Sequence, residues 1–337
     1  MESRTLKKAL LVGVALALTV GLAMSDLNAG DLKAKFTWGS GSTTGTFNII
    51  IANVTEKLKV KYPGLDITIV PGGSVTNTIR LGTGHFPIAM ITSLPAKLGY
   101  LGTGRGKLEG KGPYKEIRGI ASIYNQHFQF VCPKDFPAKT VDDIIEKKIK
   151  VRMVPGGPRG HIGPMAMEDV LKGGYGLTFK DMEKWGAKVI FAEFSEATTG
   201  IQDGHIDLFT PLTAAPNGAI TSLATQRPVK FLGMKKSTLD KMEKLGYPTG
   251  TLPAGTYPGQ DYDVVVSTVT AAFFARADFD EQVVYVITKF LLENENYLKT
   301  IHRRTKEDFN AKTAWKGLGV PLHPGAERAY KELGYIK

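Results

Sequence analysis

The sequence predicts an α/β protein of two lobes around a cleft, and three observations carry that expectation. Strand and helix patterns alternate in two separate blocks, as parallel α/β units do. The strands end repeatedly in Gly, Ser or Thr, and in open α/β sheets ligands gather beyond those ends. Two extended segments, 117–124 and 127–131, lie between the blocks as crossings. A cleft between lobes is a favoured place for a ligand.

The first block opens at 33–61. Phe36 and Trp38 alternate with Lys35 and Thr37, the two-residue period of a half-buried strand. Phe47, Ile50 or Ile51, Val54 and Leu58 then recur at helical spacing. Between them the chain brings Ser42, Thr43, Thr44, Gly45 and Thr46 to the helix start. Unpaired N–H groups and the macrodipole make that end a place to hold an anion. Simple capping by the same hydroxyls is the competing reading.

Tyr62, Pro63 and Gly64 stop the helix, and 66–70 reads as a second strand. Pro71, Gly72 and Gly73 turn into another helix, with Ser74 as its N-cap and Asn77 in its first turn. A third strand, 88–91, ends at Thr92 and Ser93. Residues 102–113, rich in glycine with Lys and Arg, read as an exposed loop.

The second block has strand patterns at 149–154, 188–191, 206–209 and 229–232, and helices over 162–171, 195–202 and 217–226. Its strand ends carry Gly157, Arg159 and Gly160 in one loop, and Thr213 and Ala214 in another. Segments 264–269 and 271–275 carry the chain back. A helix over 281–298 puts Val284, Ile287, Leu291 and Leu298 on one side, and a short one over 323–334 is entered through Pro324. The expected lobes are 30–124 with 265–337, and 125–264. Hinges are expected near 124–129 and 256–266.

Residues 1–25 read as a secretory signal peptide, with cleavage after 25 or as late as 29. Arg4, Lys7 and Lys8 precede an uncharged run, 9–24, shorter than the roughly 20 residues of a spanning helix. That places the mature protein in the periplasm. The net charge is +11, or +9 once residues 1–25 with their three cations and one acid are removed. Lys and Arg are interspersed with Asp and Glu and no aromatic-basic stacking motif occurs, so nucleic acid is not an expected partner. The single Cys132 has no disulfide partner and sits in an apolar run, the setting of a buried small hydrophobe.

Signs of catalysis are missing from the sequence. The glycines of 39–45 are spaced G-x-G-x-x-x-G, which departs from the dinucleotide fingerprint, and no G-x-S-x-G elbow occurs. The six histidines are scattered without metal-ligand spacing. His161 reads first as a residue at a helix start. No catalytic residue, metal or cofactor is expected.

Several segments, in order along essentially the whole mature chain, resemble the TAXI solute receptors of tripartite ATP-independent periplasmic (TRAP) transporters. They are LPAGTYPGQD at 252–261 and PLHPGAER at 321–328, with 72–75, 117–124 and GHIDLF at 204–209. The resemblance implies a type II periplasmic-binding-protein fold, two α/β lobes joined by two crossover segments. It also implies a non-enzymatic receptor that closes on a small carboxylate and delivers it to a TRAP permease driven by an ion gradient. The receptor is expected to be a monomer.

Two departures from the family pattern shape the expected ligand. Phe47 stands where the family has a tyrosine hydroxyl. The loop usually written A-P-G-S-G-T-E runs Val154-Pro155-Gly156-Gly157-Pro158-Arg159-Gly160 here, gaining a cation and losing an acid. Arg suits bidentate capture of a carboxylate, and the lost acid argues against an ammonium group. A dicarboxylate or 2-oxo acid is therefore expected over an amino acid. A lobe-to-lobe bridge by Arg159, without ligand contact, stays open. So do a secreted enzyme on the same fold and a sensor's ligand-binding subunit.

Overall fold

The computed structural model describes residues 32–337, and the expected signal peptide lies outside them. In chain order the strands are β1 Ala34–Gly39, β2 Leu65–Val70, β3 Ile88–Thr92, β4 Ile117–Phe128, β5 Val131–Pro133, β6 Arg152–Val154, β7 Lys188–Val189, β8 Leu208–Phe209, β9 Leu212–Thr213, β10 Val229–Phe231, β11 Thr249–Leu252 and β12 Val264–Arg276. They form two sheets. The first has the order β2-β1-β3-β12-β4-β9, with β11 added to β12, and the second β10-β5-β8-β6-β7.

β1 is parallel to both β2 and β3, with Phe36 beside Ile67 and Trp38 beside Ile69. Parallel neighbours need a crossover, usually a helix. Residues Thr46–Lys61 supply the first one, burying Phe47, Ile50, Ile51, Val54 and Leu58 against the sheet. Trp38 is fully buried and meets Phe273 of β12 edge to face, ring centroids 5.2 Å apart. Leu81, Phe86, Ala89 and Ile91 form a separate cluster with Phe274, so the first sheet is covered on both faces.

β4 and β12 run antiparallel from the His127–Thr268 pair to the Ile117–Arg276 pair, with two register shifts. Gln129 and Phe130 then carry the chain from β4 in the first sheet to β5 in the second. The extended segments expected at 117–124 and 127–131 are thus one long strand and the crossing that follows it. The expected lobe boundaries fall inside β4 and at the start of β12. Cys132, on β5, is fully buried, and burial pushes its thiol up to about 12.

Two expectations need correction. The helix expected over 281–298 is two helices, Glu281–Glu293 and Glu295–Ile301, parted at Asn294. Asn294 Nδ2 donates to the Phe290 carbonyl at 2.8 Å, an alternative to continuing the helix. The 102–113 loop is not merely exposed. Leu108 is fully buried in the second sheet's core, beside Val75, Leu94 and Leu98. Arg105 Nε donates to Asp169 Oδ1 and Arg105 Nη2 to the Leu245 carbonyl, each at 2.7 Å. Tyr247 donates to the other Asp169 oxygen at 2.7 Å. The glycines there shape a strap that clamps one lobe to the other.

Two outcomes follow from this packing. Arg105→Met leaves the Asp169 carboxylate buried with Tyr247 as its remaining partner. Removing one side of a buried pair costs about 3 kcal/mol or more, less here because Arg105 is partly solvated, so urea unfolding should show a loss of roughly 2 kcal/mol. His127, on β4, is held down at about 4 by burial and then by Arg304. The unfolded chain takes up that proton near pH 6.5. Between those values the unfolded state binds more protons, so acidification destabilises the fold. His127→Gln should flatten the pH dependence of unfolding free energy around pH 5 by about 1 kcal/mol per pH unit.

Candidate functional site

Four helix starts meet at the facing edges of the two sheets. β1 leads through Ser42 and Gly45 into Thr46–Lys61, and β2 through Gly72 and Gly73 into Ser74–Gly82. From the second sheet, β6 leads through Gly156 to Ile162–Asp169, and the chain after β7 enters Phe194–Gln202. All four border one cavity of about 40 Å³, with Gln126 of β4 and Leu212 and Thr213 of β9 completing its lining.

The helices starting at Thr46, Ser74 and Ile162 have no side-chain cap and no acid in the first turn. The amides of Thr46, Phe47, Ser74 and Val75 find no acceptor among the described residues. Three positive helix ends are therefore directed at one small space. Gln126 is 4% exposed and its side-chain oxygen has no partner among the described residues. That oxygen is an acceptor and calls for a donor, such as a water, while the Gln126 amide nitrogen can itself donate.

The lobes touch across the cavity. Ser42 Oγ donates to Glu193 Oε2 at 2.8 Å, and the Thr76 amide donates to the Gly160 carbonyl at 3.0 Å. His161 is wedged between two glycines. A Cβ at Gly73 would lie 2.4 Å from His161 Cδ2 and 2.9 Å from the Gly160 oxygen. A Cβ at Gly157 would lie 2.6 Å from His161 Nδ1, and φ there is +114°, which favours glycine in any case. Burial lowers the His161 pKa while Glu193 opposes the shift, so the ring is neutral at pH 7, with one donor and one acceptor nitrogen.

Of the residues expected at the site, Ser42, Gly45, Thr46, Phe47, Gly73, Ser74 and Thr213 line the cavity. The others do not. Thr43 and Thr44 are exposed on the loop, and Ser93 opens the next helix, half-buried. Asn77 is fully buried beneath the site, where Nδ2 donates to the Ser40 carbonyl at 2.7 Å. The Thr92 amide donates to Ser74 Oγ at 3.2 Å, which fixes that hydroxyl. Ser74 is therefore not the expected N-cap: Gly73 holds that position. The Ala214 carbonyl accepts from Gln129, at 3.2 Å. Gly157 backs His161, and Gly160 spends its carbonyl on Thr76.

Arg159 lies outside the lining. Its guanidinium carbon sits 3.8 Å from the centre of the Phe191 ring, on the outer side of the loop. The positive φ angles of Gly156, Gly157 and Gly160 turn the backbone so that His161, not Arg159, reaches the cavity. The residues the sequence reading missed are Gln126, Glu193, Phe194 and the place of His161 in the cavity lining. Gln126 had no distinct signal, because it lies in the polar run Asn125-Gln126-His127. Glu193 had none, being 151 positions from the Ser42 it meets.

The close approach at Gly73 has a direct test. Gly73→Val should keep the helical content of the wild type, since the φ of −153° suits any residue. It should hold the lobes apart, seen as a larger radius of gyration by small-angle scattering. An unchanged radius would show that the His161 contact does not limit closure.

Two solved structures are similar in fold. A periplasmic binding protein, BugD, is 12% identical, with 89% of this chain and 97% of that chain covered and a TM-score of 0.53. A periplasmic transporter structure is 12% identical, with 90% and 97% covered and a TM-score of 0.51. The expected α/β binding-protein fold is the fold of this protein. A family model described as the NMT1-like family matches residues 38–334, so the chain belongs to the NMT1-like family.

Proposed function

We propose that the protein is an extracytoplasmic solute receptor that captures a small carboxylate between its lobes and hands it to a membrane permease. The TAXI-like segments favour a permease of the TRAP type. The observation that carries the reading is the convergence of three uncapped helix starts, free of first-turn acids, on one cavity. A carboxylate seated there accepts from the amides at Thr46 and Phe47 or at Ser74 and Val75. Charge-assisted hydrogen bonds contribute roughly 1.5–3 kcal/mol each. Micromolar affinity needs about 8 kcal/mol, within reach of several such bonds after ordering costs.

The placement of charge changes the expected ligand. The dicarboxylate expectation relied on Arg159 across the cleft, and that guanidinium lies on Phe191 instead. A second carboxylate would meet no cationic side chain in the lining, and Glu193 stands beside Ser42. A single carboxylate bearing an uncharged oxygen, such as a 2-oxo acid, fits better, with the Gln126 amide and neutral His161 opposite that oxygen. The argument against an ammonium group also weakens, because Glu193 restores the acid that Gly160 lacks. The volume adds a limit. About 40 Å³ is roughly three waters' worth of room, so the closed form suits only a compact ligand.

A thermal-shift screen of 2-oxo acids, dicarboxylates and amino acids tests the reading. A 2-oxo monocarboxylate at a hundredfold over its Kd should stabilise the fold by about 2.7 kcal/mol. Gln126→Leu should weaken that ligand at least tenfold. Stabilisation by amino acids alone would overturn the choice of ligand and make Glu193 an ammonium partner.

A further inference from the structure

Behind His161 lies a second and larger cavity of about 440 Å³, open on the outer face. Its walls come from both lobes: Gly106 and Lys107 from the strap, and Arg159, Glu168 and Lys172 from the second lobe. A neighbouring cavity of about 420 Å³ shares Arg159, Glu168 and Lys172 and adds Phe191 to the floor. Together they form one trough. Lys107, Arg159 and Lys172 make no ion pair among the described residues; Lys107 Nζ donates to the Arg159 carbonyl at 3.2 Å. The Arg159 guanidinium carbon sits 3.8 Å from the centre of the Phe191 ring, a contact that positions it, and its N–H groups make no side-chain hydrogen bond or ion pair among the described residues.

One unpaired surface cation is ordinary. Three around one trough repel one another, and the strap holds Lys107 close to Arg159. The trough also holds Lys180 and two acids, Glu168 and Glu183. The Glu168 carboxyl is pushed up by burial, against the pull of Lys172 and Arg159, with Asp169 and Glu109 adding to the rise. Asp169 is occupied by Arg105 and Tyr247. Even with both acids ionised, the four cations Lys107, Arg159, Lys172 and Lys180 leave the lining an excess of positive charge.

We propose that this outer trough is a second binding site, for a small multivalent oxyanion, formed where the strap lies against the second lobe. The Arg159 fork takes two oxygens, and Lys107 and Lys172 act as point charges on the rest. Because Lys107 belongs to the strap, an anion held there adds to the clamp between the strap and the second lobe. The inference stands apart from the identity of the inner ligand.

Inorganic phosphate and citrate are the probes, used in calorimetry and thermal shift at constant ionic strength balanced with sodium chloride. One anion per chain should bind and raise the melting temperature. Arg159→Gln with Lys172→Gln should weaken binding at least tenfold, and Lys107→Gln alone should weaken it measurably. Gln126→Leu should leave it unchanged, which separates this site from the inner cavity. Citrate preferred over phosphate assigns a polycarboxylate, and the reverse a phosphate. Absence of binding by both anions, equal binding in the double variant, or loss of binding in Gln126→Leu would overturn the proposal.

Discussion

The constraint on which this molecule depends is that backbone N–H groups at uncapped helix starts need an acceptor. Thr46, Phe47, Ser74 and Val75 present such groups, and the loops before them offer none. If those ends packed against apolar protein, each unmet amide would cost about 1–3 kcal/mol. They must instead face water or a ligand, so a polar space is kept between the sheets. The parallel pairing of β1 with β2 and β3 puts the first two starts on the same edge. The parallel β6–β8 and β6–β7 pairs do the same for the second lobe.

Closeness across that space is set by glycine backbone against one imidazole and by a backbone hydrogen bond. Gly73 meets His161 directly, and the Thr76 amide takes up the Gly160 carbonyl. The strap works differently, with a guanidinium reaching into the other lobe and a leucine buried at the seam between them. One edge of the cleft is therefore firmly clamped, while the other rests on hydrogen bonds that a ligand can replace. Ser42–Glu193 is one of these, and its carboxylate already occupies the hydroxyl that an incoming anion would seek.

The architecture was legible wherever burial imposed a period. Phe36 and Trp38 revealed a strand, and Phe47 to Leu58 a helix, because each element buries one face. Half of the cavity was legible too, since small residues at strand ends are where such sheets leave room. What the sequence hid was direction and distance. Arg159 looked like a ligand residue, and glycine φ angles turned it away, toward Phe191. The strap looked solvated because glycine and lysine dominate it, although Leu108 and Arg105 carry its packing. The break at Asn294 was hidden because Leu291 and Leu298 keep their helical spacing across it.

The buried Cys132 has a practical consequence. A thiol pushed up to about 12 holds almost no thiolate at neutral pH, and this is the only cysteine of the chain. Thiolate is the form that reacts with maleimides and oxidants alike. The native chain is therefore silent toward such reagents. Cysteines introduced at exposed Thr44 and Thr199, on opposite lobes, would take up dyes without background and make the lobe separation readable by energy transfer.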